Sequence, residues 1–108
     1  MSVDKIFSEE QLNQALEANN TLFLLKHSTT CPISQNAFEQ YEKFSKEENV
    51  PCYYLYVQEA RPLSNYVAEQ YNVKHESPQV LYFKQGNVEW NTSHFDITYE
   101  KLSGYLHE

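Results

Sequence analysis

The stretch Thr21-Leu22-Phe23-Leu24-Leu25-Lys26-His27-Ser28-Thr29-Thr30-Cys31-Pro32 decides how the chain is read. Residues 21–27 are almost wholly apolar, with Asn19-Asn20 before them and a run of hydroxyl residues after. Too short for a helix between those breaks, and apolar on both faces, the run predicts a central strand covered by helices on each side. Pro32 suits the first position of a helix. From it Ile33, Ala37, Phe38, Tyr41 and Phe44 recur at a period near 3.6 until Glu47-Glu48-Asn49. One cysteine therefore stands at the junction of a buried strand and a long helix.

The flanking sequence fills in the rest. Ser8-Glu9-Glu10-Gln11 has the pattern of a capping box, and Leu12, Ala15 and Leu16 follow at helical spacing, which predicts a helix over 8–18. Pro51 opens a second apolar strand, residues 52–57. Arg61-Pro62 starts a third helix with Leu63, Tyr66, Val67 and Tyr71 on one face, ending near Asn72. After Pro78, residues 79–84 read as a strand, Gln85-Gly86-Asn87 as a tight turn and residues 88–91 as the returning strand of a hairpin. Asp96-Ile97-Thr98-Tyr99-Glu100 begins a last helix carrying Leu102, Tyr105 and Leu106. Two strands joined by a helix are expected to be parallel, with a right-handed crossover, and the hairpin adds an antiparallel pair. The expected architecture is one α/β domain over residues 1–108, a mixed sheet of four strands with helices on both faces.

Composition narrows the class. A chain of 108 residues has room for one domain with one modest core. The aromatic fraction of 15% argues against disorder. Eight basic residues against fifteen acidic ones give a net charge of −7, which argues against nucleic acid and anionic membrane as partners. No run approaches the roughly 18 apolar residues of a membrane span. The start, Met1-Ser2-Val3-Asp4-Lys5, lacks the pattern of a secretory signal, so the cytosol is the expected location. Only two glycines occur, which excludes Gly-rich phosphate loops. Two cysteines without a secretory signal do not make a disulfide framework. No His and Cys stand at zinc-ligand spacing, so no metal is expected.

Chemistry concentrates at Cys31. A helix N-terminus carries about half a positive charge and unsatisfied N–H groups, so a sulfur placed there is stabilised as thiolate, the nucleophilic form. Pro32 starts the helix without wasting a donor. Ser34 lies one turn further on, where its hydroxyl is able to hydrogen-bond to the sulfur but not to form a disulfide. The bland alternative is a buried apolar cysteine beside a helix cap. Ser77-Pro78 stands directly before the hairpin and is either an edge device or a cis bond presenting the backbone of Ser77 to an incoming peptide or thiol.

The order of elements, the Cys31-Pro32-Ile33-Ser34 motif and Ser77-Pro78 resemble a thioredoxin-like fold with a monothiol active site. More narrowly, His27-Ser28-Thr29-Thr30-Cys31-Pro32-Ile33-Ser34, Tyr54-Leu55-Tyr56-Val57-Gln58, Val73-Lys74-His75-Glu76-Ser77-Pro78-Gln79 and Ser93-His94-Phe95 resemble the monothiol bacilliredoxins over nearly the whole chain. The resemblance implies a thioredoxin-like fold and an enzyme of thiol–disulfide exchange acting on proteins that carry a mixed disulfide with bacillithiol. It makes Cys31 the attacking sulfur, supported by Thr30, Pro32 and Ser34, with Ser34 where dithiol relatives carry a resolving cysteine. It makes Pro78 a cis-proline and Ser77 its backbone partner. No tightly bound cofactor is implied. Bacillithiol is the thiol co-substrate, bacillithiolated client proteins are the partners, and the chain is expected to be a monomer.

The remaining candidates divide. Cys52 falls on a predicted buried strand and reads as a small core hydrophobe; in this fold it lies at the opposite end of the sheet from Cys31, so it is rejected as a resolving thiol. His94, with Ser93, follows the last strand. It either reaches the bacillithiol carboxylates or caps the final helix, and the resemblance favours the first. His27 is expected to pack near the sheet edge and His75 to be a solvated loop residue. Three competing functions remain: a thioredoxin-like binding module that does not turn over, a sensor thiol, and a monothiol carrier of an iron–sulfur cluster, against which Pro32 argues.

Overall fold

The computed structural model describes residues 3–29 and 32–107. In chain order the elements are β1 (Asp4–Lys5), α1 (Glu9–Ala18), β2 (Thr21–His27), α2 (Pro32–Glu48), β3 (Cys52–Tyr56), α3 (Arg61–Gln70), β4 (Gln79–Lys84), β5 (Asn87–Ser93), a 3-10 turn (His94–Asp96) and α4 (Tyr99–Leu106). The strands form one sheet in the order β1-β3-β2-β4-β5. β1 and β2 each pair parallel with β3, and β4 pairs antiparallel with both β2 and β5.

The sheet has five strands where four were expected. The extra one, β1, is two residues long, too short to show any period in sequence. It is fixed from a distance: Ile6 N–H donates to the Tyr54 carbonyl at 2.9 Å, and Lys5 Nζ pairs with Glu59 Oε1 at 3.1 Å. The hairpin turn is tighter than read. Gln85 (φ 52°) and Gly86 (φ 83°) are its two central residues, both at positive φ, as a two-residue turn matched to the strand twist requires. The returning strand accordingly runs from Asn87 to Ser93 rather than over 88–91. The last helix begins at Tyr99, later than expected. Thr98 is its N-cap, its hydroxyl accepting from Lys101 N–H, and the 3-10 turn occupies the preceding residues.

Strand alternation builds two cores. Leu22 and Leu24 face one side with Leu12, Ala15, Leu63, Val67, Leu81 and Phe83, beneath α1 and α3. Phe23 and Leu25 face the other with Ala37, Tyr41, Phe44, Val80, Ile97 and Leu102, beneath α2 and α4. The same period places Lys26 toward α3 and His27 toward α2. β2 is central and buried on both faces, so its C-terminal end is a rigid platform for whatever follows it.

Candidate active site at the end of the central strand

Thr30 and Cys31, the heart of the expected site, lie outside the described residues. α2 begins at Pro32 and runs 17 residues with no acidic side chain in its first turn, so its positive end is not neutralised by its own sequence. Ser34 is fully buried, and its Oγ accepts the Ser28 N–H at 3.1 Å, tying the first turn of the helix to the end of the strand. Gln58, just past β3, braces the same loop twice: its Nε2 donates to Ser28 Oγ at 2.8 Å, and its Oε1 accepts Thr29 N–H at 3.2 Å. Ser34 thus accepts from Ser28, and the hydrogen bond expected between its hydroxyl and Cys31 lies outside the described residues.

A second group gathers at this end of the sheet. Ser77-Pro78 is cis, and Pro78 is buried. Gln79 opens β4 opposite Lys26 on one side and Ser93 on the other. That register sets the end of β5 beside the proline, and His94 N–H donates to the Pro78 carbonyl at 3.0 Å. His94 Nε2 lies 3.3 Å from Glu76 Oε1. Ser77, Pro78, Ser93 and His94 therefore come together at this end of the sheet. His94 does not cap α4, since Thr98 does. Ser77 Oγ is buried and finds no partner among the described residues, as does His27 Nδ1. Beside them Phe95 stands 77% exposed.

Three sequence expectations are sharpened or corrected. His27 ends its strand as read, but that strand, β2, is central in the sheet, so the residue does not pack near an edge. It is buried, stacked on Phe38 with ring centres 4.8 Å apart and tilted against Tyr56 at 5.1 Å. Burial lowers its pKa, which keeps the ring neutral near pH 7. His75 is not a solvated loop residue: it is half-buried, its Nδ1 3.2 Å from Lys26 Nζ and 3.3 Å from Ser64 Oγ. Burial, then Lys26 and Arg61, lower its pKa against the opposing effect of Glu76. Cys52 is buried at the start of β3, opposite Phe23, four residues along from the level of His27 and Tyr56. Four residues of strand span about 13 Å. Burial pushes its thiol up to about 11, tempered by the hydroxyls of Ser45 and Tyr41, so it is a protonated core residue.

Sequence reasoning missed Gln58, Ser64, Gln79 and Lys26. Only Lys26 left a signal, a cation inside an otherwise apolar strand. It is fully buried, and burial brings its pKa down to about 8.

Comparison with known proteins agrees with this geometry. The family described as monothiol bacilliredoxin BrxC matches residues 4–102. A solved thioredoxin-fold protein, described as an oxidoreductase, is 48% identical; the match covers 95% of this chain and 92% of that one, with a TM-score of 0.91. A thioredoxin from Halobacterium salinarum is 14% identical, covering 98% of this chain and 88% of that one at a TM-score of 0.82. One from Malassezia sympodialis is 20% identical, covering 98% and 89% at 0.79. These two share the fold.

Proposed function

Since the chain belongs to the monothiol bacilliredoxin family, with the thioredoxin fold of a thiol oxidoreductase, we propose that it reduces mixed disulfides between proteins and bacillithiol through Cys31. The observation that carries this reading is the place of Cys31 in the chain. In sequence it immediately precedes a 17-residue helix with no acid in its first turn, and that helix follows the end of β2, the sheet end where Ser77, Pro78 and His94 gather.

The steps follow from exchange chemistry. The Cys31 thiolate attacks the bacillithiol sulfur of a modified client. The S–S bond to the client breaks, and the client leaves as a thiolate that takes a proton. Cys31 is left bonded to bacillithiol. Ser34 has no sulfur to displace it, and Cys52 is remote and protonated, so a second bacillithiol thiolate attacks. Bacillithiol disulfide departs and Cys31 is regenerated. In the net exchange one free bacillithiol thiol is consumed: its sulfur is oxidised as the client sulfur is reduced, and the adduct's sulfur stays at the disulfide level throughout. Ser77 offers its backbone groups to the incoming chain, while Ser93 and His94 face the small thiol, His94 as a donor to its carboxylates. In sequence, Thr30 and Pro32 flank the attacking cysteine on either side.

Incubation with bacillithiol disulfide followed by intact-mass measurement tests this. Wild type and Cys52→Ala should each gain one bacillithiol, and Cys31→Ala none. An adduct that forms but does not turn over with a bacillithiolated client would favour a sensor thiol. No adduct at all would favour a binding module and overturn the proposal.

A further inference from the structure

Lys26 has no place in the exchange steps, yet it is the most anomalous residue near them. Its side chain is fully buried on the α3 face of β2. Nζ donates to the Ser64 carbonyl at 3.0 Å and reaches His75 Nδ1 at 3.2 Å. A lysine ammonium only donates, so Nδ1 is the acceptor and the imidazole proton sits on Nε2. Among the described residues no carboxylate pairs with this cation. A buried charge without a counter-ion is destabilising, and an apolar chain of similar volume is often better tolerated.

What Lys26 holds is the segment that leads into Ser77-Pro78. His75 belongs to that segment, and the cross-strand neighbour of Lys26, Gln79, grips it from the other end. Gln79 Nε2 donates to the Lys74 carbonyl at 3.0 Å, and its Oε1 accepts Glu76 N–H at 3.4 Å. Residues 74–76 contribute no regular hydrogen-bonded structure of their own. They are tied down by side chains reaching up from β2 and β4.

We infer that Lys26 is the positioning residue of segment 74–78, which it anchors to β2 and α3 through His75 and the Ser64 carbonyl. That this segment receives the client chain rests on the reading proposed above; the anchoring itself does not.

The test compares wild type with Lys26→Met, His75→Leu and His75→Asn, the last keeping an acceptor where Nδ1 stands. Backbone amide exchange over residues 74–79 should accelerate about tenfold in Lys26→Met and His75→Leu, the scale of one lost buried hydrogen bond. His75→Asn should restore most of the protection, and amides of α1 should not accelerate in any variant. Reduction of a bacillithiolated peptide should slow in the first two variants through a higher KM, while alkylation of Cys31 by iodoacetamide stays within about twofold of wild type, because it does not require an ordered docking segment. Unchanged amide exchange over 74–79 in both Lys26→Met and His75→Leu would overturn the inference. A wild type that fails to reduce the peptide would instead sink the proposed function and leave the amide-exchange result to decide the role of Lys26.

Discussion

Replacing Lys26 by Met should stabilise the protein near neutrality and remove part of its response to mild alkali. The ammonium is fully buried, and desolvation brings its pKa from 10.5 to about 8. Between those two values the unfolded chain binds more protons than the folded one, so stability rises with pH across that window. The cost of the buried charge is fully present below pH 8 and is recovered only above the unfolded value. A shift of this size corresponds to about 3 kcal/mol in total, of which about 1 kcal/mol is recovered between pH 7 and pH 9. His75, the facing titratable group, is neutral throughout that interval because its pKa is lowered. Above pH 9 Cys52 and Tyr41 act in the opposite sense, since their raised pKa values make the folded state hold protons that the unfolded state has lost. Both remain in Lys26→Met, so the difference between the two proteins isolates the lysine. Urea denaturation at pH 7 and pH 9 measures it. Lys26→Met should be the more stable at pH 7, by roughly 1–3 kcal/mol, and its advantage should shrink by about 1 kcal/mol at pH 9. An advantage of the same size at both pH values would refute a cation held at a desolvation cost.

Ser34→Ala removes the acceptor of the buried Ser28 N–H, and should lower stability by about 1–3 kcal/mol in urea titration. Ser34→Cys should place a resolving thiol one turn from Cys31, so that in intact-mass measurement the bacillithiol adduct gives way to an internal disulfide. Cys52, with its thiol pushed up to about 11, should escape iodoacetamide at pH 8 in the native protein and react only once urea unfolds it, as read by peptide mapping. Glu48 accepts from Ser103 Oγ at 2.5 Å and lies 2.7 Å from His107 Nε2, joining the end of α2 to α4. Hydrogen bonds from Ser103 and then His107 lower its pKa, so this link is present above the ordinary carboxylate value and lost as pH falls through the lowered one. Glu48→Gln should therefore melt below wild type at pH 7, with the gap closing in acid.

The parts of this molecule that follow from local pattern were legible, and the parts held by long reach were not. The limits of β2 and β4 come from short apolar runs bounded by turn residues, and those of α1 from a capping box that the structure retains in both directions. The outline of the elements around the candidate site was legible for the same reason: α2 begins at Pro32 and β4 directly after Ser77-Pro78, and boundaries are written in adjacent residues. What braces that outline is not. Gln58 holds the loop at Thr29 across 29 positions, Lys26 meets Ser64 across 38, and it meets His75 across 49. Nothing in the period of an apolar strand says which polar groups those positions will find. Alternation does say which way they point. Once residues 22 and 24 are assigned to the α1 and α3 face, Lys26 must face it too, and a cation forced into a packed face must have partners there. His27 is sent by the same rule to the other face, onto Phe38. Two adjacent polar residues at the end of one strand thus serve opposite sides of the sheet. One abuts the helix that begins just after Cys31, and the other the segment that carries Ser77-Pro78. The two halves of the candidate site are supported from one strand end, so a change at residue 26 should disturb segment 74–78 while leaving the thiol's own reactivity in place.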